Sequence, residues 1–360
     1  MTRPLLKPIS GSGAKGPACF LVETGAARFM LDLGSGPRPG LWPDVSNVGR
    51  VDALLLTHGN RDHAGALKLR AGIGDPPVYA TDIARRLLPR EIAVRSLPLA
   101  GSIEVCGVPI AAGRSGHAPG GVWLHLAVGS GLLYMGEHSP ESSVYASDPP
   151  PNAVTLVLDA SYGDYDTPLD EQMRAFDALF DAGPLLLPVP EGGCGPEIAL
   201  YLARSHRPLP HIDDAMRAAL IRLAAADRAC LRAGVAEELV FLIANAPRIE
   251  GRRGVMLASR ADAAAGEAAR LAELWEIEPE PAIVFTGYIP PGTPAARLTQ
   301  RGRARFLRWN VHPRLPENIA LARAVGARTV IPAFGDARHL PVWQKAFAPA
   351  QVSIAEAAPL

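Results

Sequence analysis

Short apolar runs of strand length dominate the first third of the chain. CFLVE at 19–23, RFMLDLG at 28–34, VDALLLTH at 51–58, PVYATD at 77–82, IEVCGVPIAAG at 103–113, VWLHLAVG at 122–129 and GLLYMG at 131–136 are rich in β-branched, leucine and aromatic residues, and Gly, Pro and Asp fill the turns between them. Two helices are expected, near Gly65–Arg70 and Ala84–Leu88. From Asp170 the period lengthens. DEQMRAFDALFDA, PEIALYLARS and the long run DDAMRAALIRLAAADRACLRAG carry apolar residues three and four apart, with Asp213 or Asp214 as N-cap of the last. PLLLPVP, GVMLASR and AIVFTGY read as buried strands between helices, and this alternation predicts parallel βα units with a core of their own. The tail returns to a strand (RARFLRWN), a helix (PENIALARAVG) and a strand (TVIPAF).

Composition narrows the class. The 360 residues are 48% hydrophobic and 20% charged, enough for one large domain or two ordinary ones and unlike a disordered chain. No stretch approaches twenty apolar residues free of charge and proline, so no membrane-spanning helix and no membrane partner are expected. The first sixteen residues lack the apolar centre of a secretory signal. Cys19, Cys106, Cys194 and Cys230 are scattered with no CxxC, which suits free thiols in a reducing, cytoplasmic setting. Lys+Arg and Asp+Glu both number 36, which excludes a globally basic nucleic-acid coat but not a local patch. The basic side is four Lys to thirty-two Arg, and Arg is the better bidentate phosphate ligand.

The segment richest in chemistry is LLLTHGNRDHAGAL, Leu54–Leu67. An apolar strand runs straight into His58, Asn60, Asp62 and His63. Imidazole and carboxylate groups this close at a strand end can converge on a metal ion. The plain alternative is a strand-to-helix turn with solvated polar groups.

This segment resembles the signature of the metallo-β-lactamase superfamily, HxHxDH after an apolar strand. Further matches follow in order. FMLDLG puts Asp32 at the aspartate of the first motif, GRSGHAPGG puts His117 at the third-motif histidine, and LLYMGEHS puts Glu137 where the family has a metal-bridging aspartate. LVLDASYGD resembles motif A of the β-CASP nucleases, with Asp159 as its acid. LLLPVPEGGCGPEIALYL, PHIDDAM, GVMLASR and IVFTGYIPPGTPAARL resemble successive elements of the β-CASP insert, with Glu197 and Asp213 at two of its acidic positions. RWNVHPRLPENIALARAVGARTVIPAFGD resembles the returning segment, with His312 at the motif B histidine. The resemblance runs from about Gly11 to Asp336. It implies an α/β fold: a metallo-β-lactamase αββα sandwich with an inserted β-CASP-like α/β domain. The corresponding division is 1–168 and 301–360 for the sandwich and 169–300 for the insert.

Three metal-site positions depart from the family, and Cys194 replaces an Arg of the insert. Asn60 stands at the second signature histidine, Glu137 replaces aspartate, and Phe334 sits at the motif C histidine of RNA-acting relatives. DNA-processing relatives lack that histidine too and often have Asp in motif A, which leans toward a DNA-type site. The resemblance implies a metal held by His58, Asn60, Asp62, His63, His117 and Glu137: zinc, as one or two ions, or manganese or magnesium in its place. It implies phosphodiester hydrolysis by a nuclease acting on DNA or RNA. Asp62 would orient or deprotonate water, Asp32 and Asp159 would fix imidazole tautomers, and His312 would serve the leaving or non-bridging oxygen. Two alternatives stay open: a non-catalytic relative that binds nucleic acid or scaffolds a partner, and a small-molecule metallohydrolase.

An acid-free stretch carries Arg297, Arg301, Arg303, Arg305, Arg308 and Arg314, with Phe306 and Trp309 interleaved. On a strand Arg301, Arg303 and Arg305 share one face while Ala304 and Phe306 share the other. Together with Arg308 this face can hold a nucleic-acid backbone, or it can be a solvated edge guarded by charge. His138 and His339 are candidates for replacement ligands, though packing roles are the simpler reading. His125 reads as a core or edge residue. A homo-oligomer or a partner protein is compatible with all of this.

Overall fold

The computed structural model describes residues 3–38, 40–354 and 357–360. They divide into two units. The first comprises Met1–Pro140, Tyr145–Asp166 and His312–Leu360; the second comprises Glu141–Val144 and Thr167–Val311.

The first unit holds two seven-stranded sheets. In one the order is Ala358–Pro359, Leu5–Ser10, Cys19–Glu23, Arg28–Leu31, Ala53–Leu55, Val78–Thr81, Val94–Leu97. In the other it is Gln351–Val352, Thr329–Ala333, Thr155–Asp159, Leu132–Tyr134, Val122–Leu126, Val108–Arg114, Gly101–Val105. The period of two in the apolar runs explains the layering. Phe20, Val22, Phe29, Leu31 and Leu55 of the first sheet join Leu124, Leu126, Tyr134, Val157 and Ile331 of the second in one buried cluster between the sheets. The intervening residues Leu21, Met30 and Leu54 face outward to Ala64, Leu67 and Ile73 of short helical turns. Leu133, Leu156 and Leu158 face Ala322, Val325 and Trp343 of the C-terminal helices. Both faces of each sheet are thus covered, giving the αββα arrangement. Each such large side chain, fully buried, stabilises the fold by about 1.5–3 kcal/mol before entropy is counted.

Several ligand-bearing loops leave matching strand ends. Arg28–Leu31 and Ala53–Leu55 are parallel neighbours, and Asp32 and Thr57–His58 follow them directly. Leu132–Tyr134, Thr155–Asp159 and Thr329–Ala333 are also parallel neighbours, with Glu137, Asp159 and Phe334 at their C-terminal ends.

The second unit is a five-stranded sheet, parallel throughout, in the order His211–Ile212, Val255–Ser259, Leu185–Val189, Ala282–Phe285, Ala304–Phe306. Leu186, Met256, Ala258, Leu271, Trp275, Ile283, Phe285 and Leu298 form its core. Asp213 caps the helix Asp214–Ala224, accepting from the Met216 N–H at 2.7 Å. The expected long helix stops at Ala224, and Arg228–Cys230 is a separate 3-10 turn. Three alanines give that turn little to bury, and the next buried residue is Asp227, a weak helix former. The strand Ala304–Phe306 pairs with Ala282–Phe285. Residues 301–311 therefore lie in the insert, not in the sandwich where the sequence reading puts them. Among the described residues no helix is long and apolar enough to cross a membrane.

Candidate metal centre

Asp32 anchors the site. It sits fully buried just past Arg28–Leu31, at φ +58, with its carboxylate ringed by donors. Oδ1 accepts from the Thr57 N–H at 2.7 Å, and Oδ2 accepts from the Thr57 hydroxyl at 2.8 Å and the Tyr134 hydroxyl at 2.7 Å. The His63 Nδ1 lies 2.7 Å from the same Oδ2. Burial works against a charged ring, but the Asp32 and Glu137 carboxylates more than reverse it and raise His63 to about 9. Burial, reinforced by His63, instead pulls His58 below the ordinary imidazole range.

The helical turn expected near Gly65–Arg70 is present as a 3-10 helix, Leu67–Ile73, and a separate short helix, Arg61–Ala64, precedes it with Asn60 at its N-cap position. The Asn60 carbonyl accepts from the His63 and Ala64 N–H groups at 3.0 and 2.9 Å, while its side chain makes no capping bond. The Asp62 carbonyl accepts from the Ala18 N–H at 2.8 Å. A Cβ added at Gly34 would lie 1.6 Å from that carbonyl oxygen, so only glycine lets the 33–36 loop pass beneath the helix.

Glu137 is the convergence point. Its Oε2 lies 2.8 Å from His117 Nε2 and 3.4 Å from His58 Nε2, and its Oε1 lies 3.9 Å from His63 Nε2 and 3.8 Å from His312 Nδ1. Burial alone would raise its pKa, but His117 and His312 hold the carboxyl well below its usual range. On the far side, His312 Nδ1 lies 2.8 Å from Asp159 Oδ2, and its ring stacks on His117 with centroids 5.0 Å apart. Asp159 also accepts from the Ser161 and His138 N–H groups at 3.0 and 3.3 Å. Against the pull of burial, His312 keeps Asp159 below the usual carboxylate range.

Among the described residues two groups have ligand atoms mutually within 4.8 Å: His58, Asp62, His63 and Glu137, and His117, Glu137 and His312. The residues fit a divalent cation. Within the four-donor group, the buried His58 Nε2 has no well-formed hydrogen bond among the described residues, and Glu137 Oε2 stands 3.4 Å from it. A mixed imidazole and carboxylate set suits a divalent ion of the transition series.

Other expected residues sit elsewhere or do other work. Phe334, at φ +63, is buried with its ring edge-on to His63 at 5.1 Å, closing that flank with carbon. His339 Nδ1 lies 3.3 Å from Asp164 and its Nε2 accepts from Arg338 at 3.1 Å, so it belongs to neither ligand group. His138 is half-buried, with Nε2 3.3 Å from Ser147 Oγ, and desolvation lowers its pKa to about 4; it too lies outside both groups. His125 is half-buried on its strand.

The arginine face is largely tied down. Arg301 caps the helix Pro294–Gln300 and pairs with Glu276 at 2.7 Å. Arg303 donates to the carbonyls of Trp275 and Pro281 at 3.0 and 2.8 Å. The strand covers only Ala304–Phe306, too short to align Arg301, Arg303 and Arg305, and Phe306 is 44% exposed rather than inward with Ala304. Arg305 is exposed, and Arg308 lies over the Phe306 ring at 5.9 Å.

Thr57, Tyr134 and Tyr162 complete the site without being candidate site residues by sequence. Tyr162 meets His312 edge-on at 5.1 Å. The signal for Tyr134 is its inward position among leucines in GLLYMG, where a buried phenol needs a partner. Thr57 offers only its place before His58.

The family model for the metallo-beta-lactamase superfamily matches residues 13–189, the stretch that carries Asp32 through Asp159. Just under half of the chain thus matches a metallo-β-lactamase superfamily domain. Several of the relatives it matches are of the β-CASP branch. It is similar to the transcription termination factor FttA of Cenarchaeum symbiosum, 24% identical over 55% of this chain and 38% of that protein. It is also similar to the FttA of Methanocaldococcus jannaschii, 26% identical over 55% of this chain and 39% of that one. Ribonuclease TTHA0252 of Thermus thermophilus is 27% identical over 48% of each chain. The matches thus span less than half of these relatives' own length. A crystal structure of a protein of unknown function from Enterococcus faecalis V583 superposes over 100% of both chains with a TM-score of 0.61 at 11% identity, which speaks to the fold alone. The superfamily uses divalent metal, in keeping with the His, Asp and Glu cluster.

Proposed function

We propose that this chain is a metal-dependent phosphodiester hydrolase that cleaves nucleic acid, with RNA as the favoured substrate. The observation that carries the reading is the position of His312. It comes from beyond the insert, bonds to Asp159 at 2.8 Å, stacks on His117 and stands 3.8 Å from Glu137. Matched relatives named as a ribonuclease and an RNase J-like protein favour RNA over the DNA suggested by Phe334 and Asp159.

With Nδ1 occupied by Asp159, the three-donor group is depleted. We therefore read the site as holding one ion at His58, Asp62, His63 and Glu137; zinc or manganese suits that set better than magnesium. Asn60, with an amide oxygen at most, and Phe334, with no donor, point the same way. A divalent ion there supplies Lewis acidity toward water and a phosphoryl oxygen. Asp62, half-buried at the helix start, accepts the proton of the attacking water. Asp159 accepts from Nδ1 and holds the His312 ring so that its imidazolium form would deliver the Nε2 proton to the leaving oxygen. His117 and the Phe334 ring wall the site and keep bulk water from Glu137. Arg305, exposed on its strand, is the residue of the arginine stretch best suited to a phosphate backbone. A cytoplasmic setting is part of this reading.

A second reading, a non-catalytic nucleic-acid-binding relative, is favoured by Asn60 and Phe334 standing at two ligand positions. Labelled single-stranded RNA and DNA, incubated with chelator-stripped protein to which zinc or manganese is returned, separate the two. RNA cleavage that vanishes in His312→Ala supports the hydrolase. Intact RNA and DNA in the presence of bound metal leave the second reading.

A further inference from the structure

We propose that Thr57 is a positioning residue that fixes the tautomer of His58 and so selects the nitrogen that His58 offers to a cation. The argument is a count of protons. A threonine hydroxyl has one proton and two lone pairs. The Thr57 proton is committed to Asp32, with Oγ1 and Oδ2 2.8 Å apart, on a carboxylate that also accepts from the Thr57 N–H and the Tyr134 hydroxyl. Toward His58 the hydroxyl can then only accept. Its 3.1 Å contact with His58 Nδ1 therefore requires the proton on Nδ1. A neutral imidazole protonated there carries its lone pair on Nε2. That nitrogen is the buried, unpartnered one beside Glu137.

The opposite tautomer would set the Nδ1 lone pair against the lone pairs of the hydroxyl and would turn an N–H toward the cation. The surroundings hold the favourable arrangement. Thr57 is 1% exposed. Gly136, at φ +56, passes so close that an added Cβ would lie 2.8 Å from Thr57 Cβ, Cγ2 and Oγ1, so the turn leading to Glu137 closes directly over the hydroxyl. One carboxylate thus orients two imidazoles: His63 directly at 2.7 Å, and His58 through Thr57. Partners of this kind behind a metal-binding histidine are worth about 10–100-fold in metal affinity.

This inference rests on the reading of the site as a cation site, and the experiment keeps the two apart. Nitrogen-15 spectra of histidine-labelled protein locate the His58 proton, and calorimetric titration with zinc gives the affinity, for wild type, Thr57→Ser and Thr57→Val. The expected result is a proton on His58 Nδ1 in wild type and Thr57→Ser, zinc affinity within a few-fold between them, and a loss of about 10–100-fold in Thr57→Val. A His58 proton on Nε2 in wild type, or wild-type zinc affinity in a folded Thr57→Val, overturns the proposal. If Thr57→Val does not fold, the wild-type and Thr57→Ser spectra decide it. A wild-type protein with the proton on Nδ1 that takes up no zinc instead overturns the cation reading while leaving the proton placement standing.

Discussion

His312 Nδ1 lies 2.8 Å from Asp159 Oδ2, although 153 positions and the whole insert separate the two residues in sequence. A proton held on Nδ1 by Asp159 leaves Nε2 as the nitrogen that can serve a substrate. Asp159→Asn replaces the carboxylate with a group that can turn its amide toward Nδ1 and invert the tautomer. On the hydrolase reading, single-turnover RNA cleavage falls by about 10²-fold in Asp159→Asn and by about 10²–10⁴-fold in His312→Ala, with RNA affinity little changed. Unaltered cleavage rates in both variants would remove the dyad from the mechanism.

Gly34 carries the closest backbone approach in the site. A methyl there would stand 1.6 Å from the Asp62 carbonyl oxygen, so Gly34→Ala must displace the helix that bears Asp62 and His63. Urea unfolding should show a loss of about 1–3 kcal/mol, accompanied by weaker metal binding. A variant as stable and as tightly metal-binding as wild type would mean that the loop moves freely.

The loop carrying His117 is held by Asp148, which accepts from the Arg114 N–H and Nε at 2.8 Å each and from Nη2 at 2.6 Å. The Arg114 hydrogen bond, outweighing partial burial, lowers the Asp148 pKa. A depressed folded pKa gives stability that is fully present above the unfolded carboxylate value of about 3.9 and is lost as pH falls through the lower folded value. Asp148→Asn should therefore cost about 1 kcal/mol in urea melts at pH 7, a figure already discounted for partial exposure, and measurably less at about pH 3, below the unfolded carboxylate value. An equal deficit at both pH values would point to packing rather than charge.

Arg305 is exposed on the edge strand of the insert, whereas Arg303 is spent on two backbone carbonyls. Fluorescence anisotropy against KCl concentration should show weaker oligonucleotide binding for Arg305→Glu and a salt slope smaller by about 1. Arg303→Glu should lower thermal stability instead. If Arg305→Glu leaves both affinity and slope intact, the arginine strand is only a guarded edge.

Much of this site was legible because it is local. His58, Asp62 and His63 fall within six residues at the end of one apolar strand, and the period-two pattern of CFLVE and GLLYMG already separates inward from outward residues. Asp159 and His312 were legible only through the family resemblance. Their meeting depends on Thr155–Asp159 lying beside Thr329–Ala333, a sheet order that no local period encodes. Thr57 and Tyr134 were missed because their roles depend on where one hydroxyl proton points. The arginine face was over-read because alternation needs a strand longer than the three residues of Ala304–Phe306.

The central claim, a single-ion phosphodiesterase site, is tested most directly by the rate of RNA cleavage as manganese is added stepwise to chelator-stripped protein. The account predicts no cleavage without manganese and a rise to a plateau at one equivalent per chain. A plateau reached only at two equivalents would contradict the one-ion site, and intact RNA at every concentration would contradict the hydrolase itself.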